Sequence, residues 1–269
     1  MKEKLYTIEL TDAVKSGDEC CFCWLERKME QENLEFVLGS SYMESDVRDQ
    51  TSLHGFCRHH TKMMYDYGNT LGNAWILKSR MEKVRTDLAE RLGASEGIAS
   101  GASVSSAGSK KGLAGKFKSL FSGTGRQVGS FSGVRSGKDS ENSGCYICER
   151  MDEIYVRMLD TFAWMLEHDP EFGETLLKSK GFCLRHFEEA REVCERTLKP
   201  ELWGEWEAKL NRLMLDNLDR VQEDVNWLIE KYDYRNKDAD WRESRDAVPR
   251  AMQKLVGTHP ADPVFRDRR

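Results

Sequence analysis

Eight residues of this chain have the types and spacing of metal ligands, and they fall into two matching groups. The first group is Cys20-x2-Cys23 followed by Gly55-Phe56-Cys57-x2-His60, and the second is Cys145-x2-Cys148 followed by Gly181-Phe182-Cys183-x2-His186. Cys23 and Cys57 are separated by 33 residues, Cys148 and Cys183 by 34. Three thiolates and one imidazole make a full tetrahedral set for zinc. A single C-x2-C often just packs, because free cysteine behaves as a small buried apolar residue. A second copy with nearly the same internal spacing, closed by the same Gly-Phe-Cys, points to ligation instead.

The spacing assigns Cys20, Cys23, Cys57 and His60 to one site and Cys145, Cys148, Cys183 and His186 to the other. Each site is then expected to clip the start of the first long helix of its repeat to the start of the third. C-x2-C and C-x2-H place two donors one helical turn apart, beside unpaired N–H groups that favour thiolate. Gly55 and Gly181 suit a sharp backbone turn beside a metal. Phe56 and Phe182 are expected to cover the sites from water. His59 lies next to His60 and Cys21 next to Cys20, but only His60 and Cys20 keep the repeat spacing. Cys21 and Cys194 have no repeat partner and are read as bystanders, Cys194 on a buried helix face. His54, His168 and His259 are read as surface or loop histidines.

Zinc, two per chain, is the first choice of cofactor. An iron–sulfur cluster is the alternative, although four cysteines are its commoner ligand set. Thiol redox chemistry at each C-x2-C would want a thioredoxin-like βαβ context, which the sequence lacks. A catalytic zinc keeps an open position, whereas each set here supplies four donors. The H-E-x-x-H pattern is also missing.

Composition narrows the class. The 269 residues are 39% hydrophobic and 32% charged, with a net charge of -5. That balance argues against a nucleic-acid-binding surface. No run of about 18 apolar residues would span a bilayer. Met1 to Glu19 holds no apolar signal-like core, so a cytoplasmic protein is expected. In a reducing compartment C-x2-C reads as ligands rather than a disulfide.

The elements that must position the ligands are helices. Residues 1–92 form the first expected metal-binding repeat. A helix runs from the first cysteine box to about Leu38, with Leu25, Met29, Phe36, Trp24 and Val37 near the helical period. A short helical stretch follows around Tyr42 to Leu53. Another begins at Cys57, with His60, Met64 and Tyr67 on its face, and a longer one runs from Thr70 to Leu92 carrying Leu71, Trp75, Leu77, Met81, Val84 and Leu88. Residues 145–235 form the second repeat. Ile154, Met158, Phe162 and Leu166 share a face until Asp169-Pro170 ends the helix. A short helix at Glu171 to Lys178 and one from Cys183 to Leu198 follow. The longest, from Pro200 to about Tyr232, carries Trp203, Trp206, Leu210, Leu213, Leu218, Val221, Val225 and Leu228.

Before the first box, residues 1–19 read as a polar lead-in whose Ile8 and Leu10 dock on the core. Residues 93–144 read as a flexible linker rich in Gly and Ser. Its Leu113 to Phe121 cluster, flanked by lysines, reads as solvated linker or as a basic amphipathic turn. Gly115-Lys116 lacks the glycine and hydroxyl residue of a P-loop. Residues 236–269 read as a polar tail with one short helix at Ala247 to Val256, stopped by Gly257 and fraying around Pro260 and Pro263. No alternating pattern is long enough for a strand, so the fold class is all-α: two tandem helical repeats packed through their Trp, Leu and Met stripes.

These boxes, with the tail motif Tyr232-Asp233-Tyr234-Arg235 and the Arg250 to Gly257 helix, resemble an uncharacterised bacterial family of unknown function. Its members are sometimes labelled ABC transporter substrate-binding proteins. Family boxes often read Cys-Pro-x-Cys; Cys21 and Tyr146 stand where that proline would be. The resemblance implies the paired sites and no activity. The expectation is an intracellular structural metal protein that acts by binding an unknown protein partner, with enzymatic activity left open but leaned against; the alternative is an iron–sulfur or thiol redox protein using the same two sets.

Overall fold

In the computed structural model, residues 4–92 and 144–257 are described. The linker reading for 93–143, the Leu113 to Phe121 cluster, His259, Pro260 and Pro263 lie outside them. Ten α-helices and no strand occur among the described residues. They are α1 (Thr7–Lys15), α2 (Cys21–Gly39), α3 (Ser45–His54), α4 (Arg58–Tyr67) and α5 (Thr70–Arg91) in the first half. The second half holds α6 (Tyr146–His168), α7 (Pro170–Leu177), α8 (Leu184–Thr197), α9 (Pro200–Lys231) and α10 (Ala247–Val256).

Local signals explain the boundaries. Asp169 caps α7 by accepting from the Phe172 N–H at 3.0 Å, and Pro170 occupies the first helical position. Pro200 opens α9 in the same way, and Gly257 ends α10 at a left-handed φ of 83°. The lead-in is itself a helix. Its Leu10, Ala13 and Val14 are buried against α2, α6 and α7, while Ile8 faces out. The period-3.6 spacing of Leu10 and Val14 drives that docking, and Ile8 falls on the other side.

The core is centred on Phe22, the second of the two residues between Cys20 and Cys23. Its ring meets Phe162 edge-on at 5.4 Å and Tyr155 at 5.8 Å, and stacks on Phe182 at 5.8 Å. Phe22, Phe162 and Phe182 are fully buried, each contributing on the order of 2–3 kcal/mol. The two halves therefore share one core: Phe22 comes from α2, Phe162 from α6, and Phe182 from the turn before α8. In α9, Trp206, Leu210, Leu213 and Val221 are buried as expected.

The matching helix of the first half departs from expectation. Leu71, Trp75, Leu77, Met81, Val84 and Leu88 of α5 are all exposed, and Ile76 carries the buried contact. The face of α9 has α10 packed beside it, and α5 meets α3 instead. Helical period alone does not say which side of a two-sided stripe finds a neighbour.

Candidate metal centres

Four cysteines occupy helix N-caps: Cys20 before α2, Cys57 before α4, Cys145 before α6 and Cys183 before α8. Three residues on, in each first turn, stands the second donor: Cys23, His60, Cys148 or His186. The x2 spacing thus joins the N-cap and N3 positions, whose side chains meet above the unpaired N–H groups of a helix start. Cys20 Sγ accepts from the Cys23 N–H and Cys57 Sγ from the His60 N–H, both at 3.4 Å. The helix dipoles add partial positive charge at the same points.

These helix starts meet in two pairs, and the pairing crosses the repeats. Cys20, Cys23, Cys183 and His186 form one group; Cys57, His60, Cys145 and Cys148 form the other. Within each group the donor atoms lie within 4.8 Å of one another, and every member is buried. The expectation that each repeat closes its own site is therefore corrected. Each group takes one C-x2-C from one half and one C-x2-H from the other. Either pairing yields three thiolates and an imidazole, so ligand chemistry does not choose between them. The backbone does. The Cys21 N–H donates to the Gly181 carbonyl at 3.2 Å, and the Tyr146 N–H donates to the Gly55 carbonyl at 2.9 Å. Both glycines hold φ at 71°, as the turn expectation required. These reciprocal bonds lay each cysteine knuckle against the Gly-Phe-Cys turn of the opposite half.

The geometry suits a single tetrahedral ion. In the first group Cys23 Sγ is 3.7 Å from Cys183 Sγ, and His186 Nδ1 lies 3.2 Å from Cys20, 3.2 Å from Cys183 and 3.4 Å from Cys23. In the second, Cys57 Sγ is 4.0 Å from Cys148 Sγ, and His60 Nδ1 lies 3.2, 3.3 and 3.4 Å from Cys57, Cys145 and Cys148. Zinc bond lengths in a regular tetrahedron separate such donors by roughly 3.5–3.8 Å. All eight cysteines are free thiols.

Protonation follows from this crowding. Hydrogen bonding with Cys148 holds the Cys145 thiol down at about 3, helped by His60 and opposed by burial. Cys183 is likewise far below the ordinary range through Cys20 and Cys23, with His186 adding to it. Their neighbours go the other way. Cys148 is pushed far up by its bond to Cys145 and by burial, and Cys23 by its bonds to Cys183 and Cys20. Burial opposes the charge on His60, yet Cys145, Glu30 and Cys57 hold it up at about 10. In each set, one thiol is thus driven toward thiolate and another is held protonated.

Outside the sulfurs, each imidazole turns Nε2 toward a carboxylate of α2. His186 Nε2 is 3.4 Å from Glu26 Oε2, and His60 Nε2 is 3.4 Å from Glu30 Oε1. Such outer carboxylates fix the tautomer and orientation of a ligating histidine. Sequence reasoning missed both. Their i,i+4 spacing on the helix that follows the first box is visible, but nothing in it aims one carboxylate at each site.

The tail also joins the first group. Lys254 of α10 is buried, and its Nζ donates to the carbonyls of Glu19 at 2.6 Å and Phe182 at 3.2 Å, and to that of Lys180. Glu19, buried next to Cys20, pairs with Lys254, Arg220 and Lys180. The Cys23 thiol donates to the Gly257 carbonyl at 2.9 Å. The second group has no such cap among the described residues. Its Cys57 and Cys148 keep 7% and 8% exposure, whereas no donor of the first group exceeds 2%.

The remaining candidates separate cleanly. Cys21 is buried in the first position of α2, and Cys194 lies on the buried face of α8, where burial pushes its thiol up to about 12. His54 pairs with Glu149 at 2.6 Å, and the His168 ring stacks on Trp164 at 4.6 Å. Phe182 is fully buried, whereas Phe56 is half-buried against Tyr146.

A family model described as "Family of unknown function (DUF6062)" matches residues 1–262. The chain belongs to this family. The match takes in both ligand groups and α10, so the family resemblance covers the whole of the described structure. Neither a curated protein nor a solved structure matches the chain. No described helix is long and apolar enough to cross a membrane.

Proposed function

We propose that this protein is a cytoplasmic structural zinc protein, in which two zinc ions lock the halves of the chain together and present a helical surface to a protein partner. One observation carries the zinc reading: each group offers four buried protein donors around one point, a complete tetrahedral set, whereas a catalytic zinc keeps one position for water or substrate. Sulfur separations of 3.7 and 4.0 Å favour one ion over a cluster, which spreads its cysteine ligands over several irons. Free thiols throughout fit a reducing compartment.

The partner reading rests on α5. Leu77, Met81, Val84 and Leu88 recur at helical spacing on an exposed face. A contiguous apolar face of this kind marks interaction surfaces in soluble proteins.

Elemental analysis of protein purified without added metal tests the reading. Two zinc ions per chain and a colourless protein are expected. A brown protein with visible absorbance after anaerobic purification would replace zinc with an iron–sulfur cluster.

A further inference from the structure

The two groups differ on the outer side of their histidines, and the difference points to a third metal site. At the first group, Arg185 fills that side. Its Nη2 lies 2.6 Å from His186 Nε2 and donates to Glu26. A fixed guanidinium thus sits against both the imidazole and its carboxylate. Position 185 of the second box matches position 59 of the first, and there the residue is His59.

At the second group no guanidinium takes the corresponding place among the described residues. His59 Nε2 is 3.2 Å from Glu30 Oε1, and His60 Nε2 is 3.4 Å from the same oxygen. His60 is buried, and its Nε2 completes no hydrogen bond although Glu30 Oε1 stands 3.4 Å away. A buried ring nitrogen without a partner is costly, and here it points toward a carboxylate and a second imidazole. The three donor atoms lie within 4.8 Å of one another, with His59 exposed and Glu30 half-buried, so the cluster opens to solvent.

We propose that Glu30, His59 and His60 form a third, shallow divalent-cation site that shares His60 with the neighbouring sulfur site. The cation takes Glu30 Oε1, His59 Nε2 and His60 Nε2, and water completes its shell. This donor set of two imidazoles and one carboxylate suits zinc and other borderline ions. With a metal held through Nδ1 on the sulfur side, a cation on Nε2 would release that nitrogen's proton to solvent. The cation stands where Arg185 places its charge in the other half, which explains why that half offers no matching site. The inference goes beyond the two sulfur sites but uses the second as a neighbour.

The test loads the full chain with two equivalents of ¹¹³Cd²⁺, which thiolate sites hold in preference to zinc, and then titrates Zn²⁺. A third equivalent is expected, and one of the two cadmium resonances should shift as it binds. His59→Ala should weaken that equivalent by about tenfold or more while leaving both cadmium ions bound, and Glu30→Gln should weaken it together with the cadmium held by His60, the ion whose histidine Glu30 supports. His59 is exposed, so its variant should fold. A third equivalent that persists in both variants, or that moves neither resonance or both, would overturn the proposal. Absence of two cadmium resonances at the outset would instead count against the sulfur sites themselves.

Discussion

Cys23 and Cys183, 160 positions apart in the chain, hold their sulfurs 3.7 Å from each other. That contact makes the ligand groups joints between the halves rather than staples within them. Each joint closes a long loop, and a structural zinc site in a small domain supplies on the order of 10 kcal/mol of apparent folding free energy. Metal removal should therefore unfold both halves together. A strong chelator with reductant should abolish helical circular dichroism in one transition. Protease digestion during that titration should degrade residues 4–92 and 144–257 in parallel; survival of either half as a helical fragment would argue for independent units.

Lys254 ties α10 to the first group through backbone carbonyls next to both of its cysteine boxes. Lys254→Met keeps the stem but leaves the Glu19 and Phe182 carbonyls and the Glu19 carboxylate without their shared donor. Unpaired buried groups cost about 1–3 kcal/mol each, so a loss of roughly 3–5 kcal/mol is expected. Denaturant unfolding measures it. Metal loss should affect one of the two ions, the one held by Cys20, Cys23, Cys183 and His186.

Much of this was legible beforehand, and the reasons are local. The N-cap and N3 spacing, the proline first turns of α7 and α9 and the Gly257 stop are encoded within a few residues, so helices and ligands could be read directly. The pairing could not be. Two identical half-sites admit two pairings, and the choice rests on the Gly55 and Gly181 carbonyls meeting the opposite knuckle across the fold. Lys254 and Glu26 escaped notice for a similar reason. A lysine in a polar tail and a glutamate on a charged helix look solvated until tertiary packing buries one and aims the other. The stripe on α5 failed in the opposite sense, since its period is correct but its residues stay exposed while Ile76 makes the buried contact.

Glu26 orients His186 from outside the first group and is held by Arg185. Hydrogen bonding and charge from His186 and Arg185 lower its carboxyl despite burial, keeping it an acceptor at neutral pH. Glu26→Gln removes the charge and keeps the shape. It should weaken one of the two ions by about 10–100-fold and leave the other unchanged. Competition with a chromophoric chelator reads both affinities, and equal loss at both sites would mean a general structural effect.

Acid should favour metal release. In the metal-free second group His60 holds its proton up to about 10, and Cys148 stays protonated above that. Binding at pH 7 must displace both protons, so apparent affinity should rise with pH across the neutral range. Loading in weakly buffered solution with a pH indicator should show at least about two protons released per ion at this group. Affinity that is flat between pH 6 and 8 would mean that the donors are already deprotonated.

The pairing across the halves is tested most directly by counting tightly bound zinc in two double variants. Cys20→Ser with Cys183→Ser damages one group twice under the crossed arrangement, and one zinc per chain should remain. Cys20→Ser with Cys57→Ser damages both groups, and tight zinc should disappear. If each repeat instead closed its own site, the counts would be reversed: none in the first variant and one in the second.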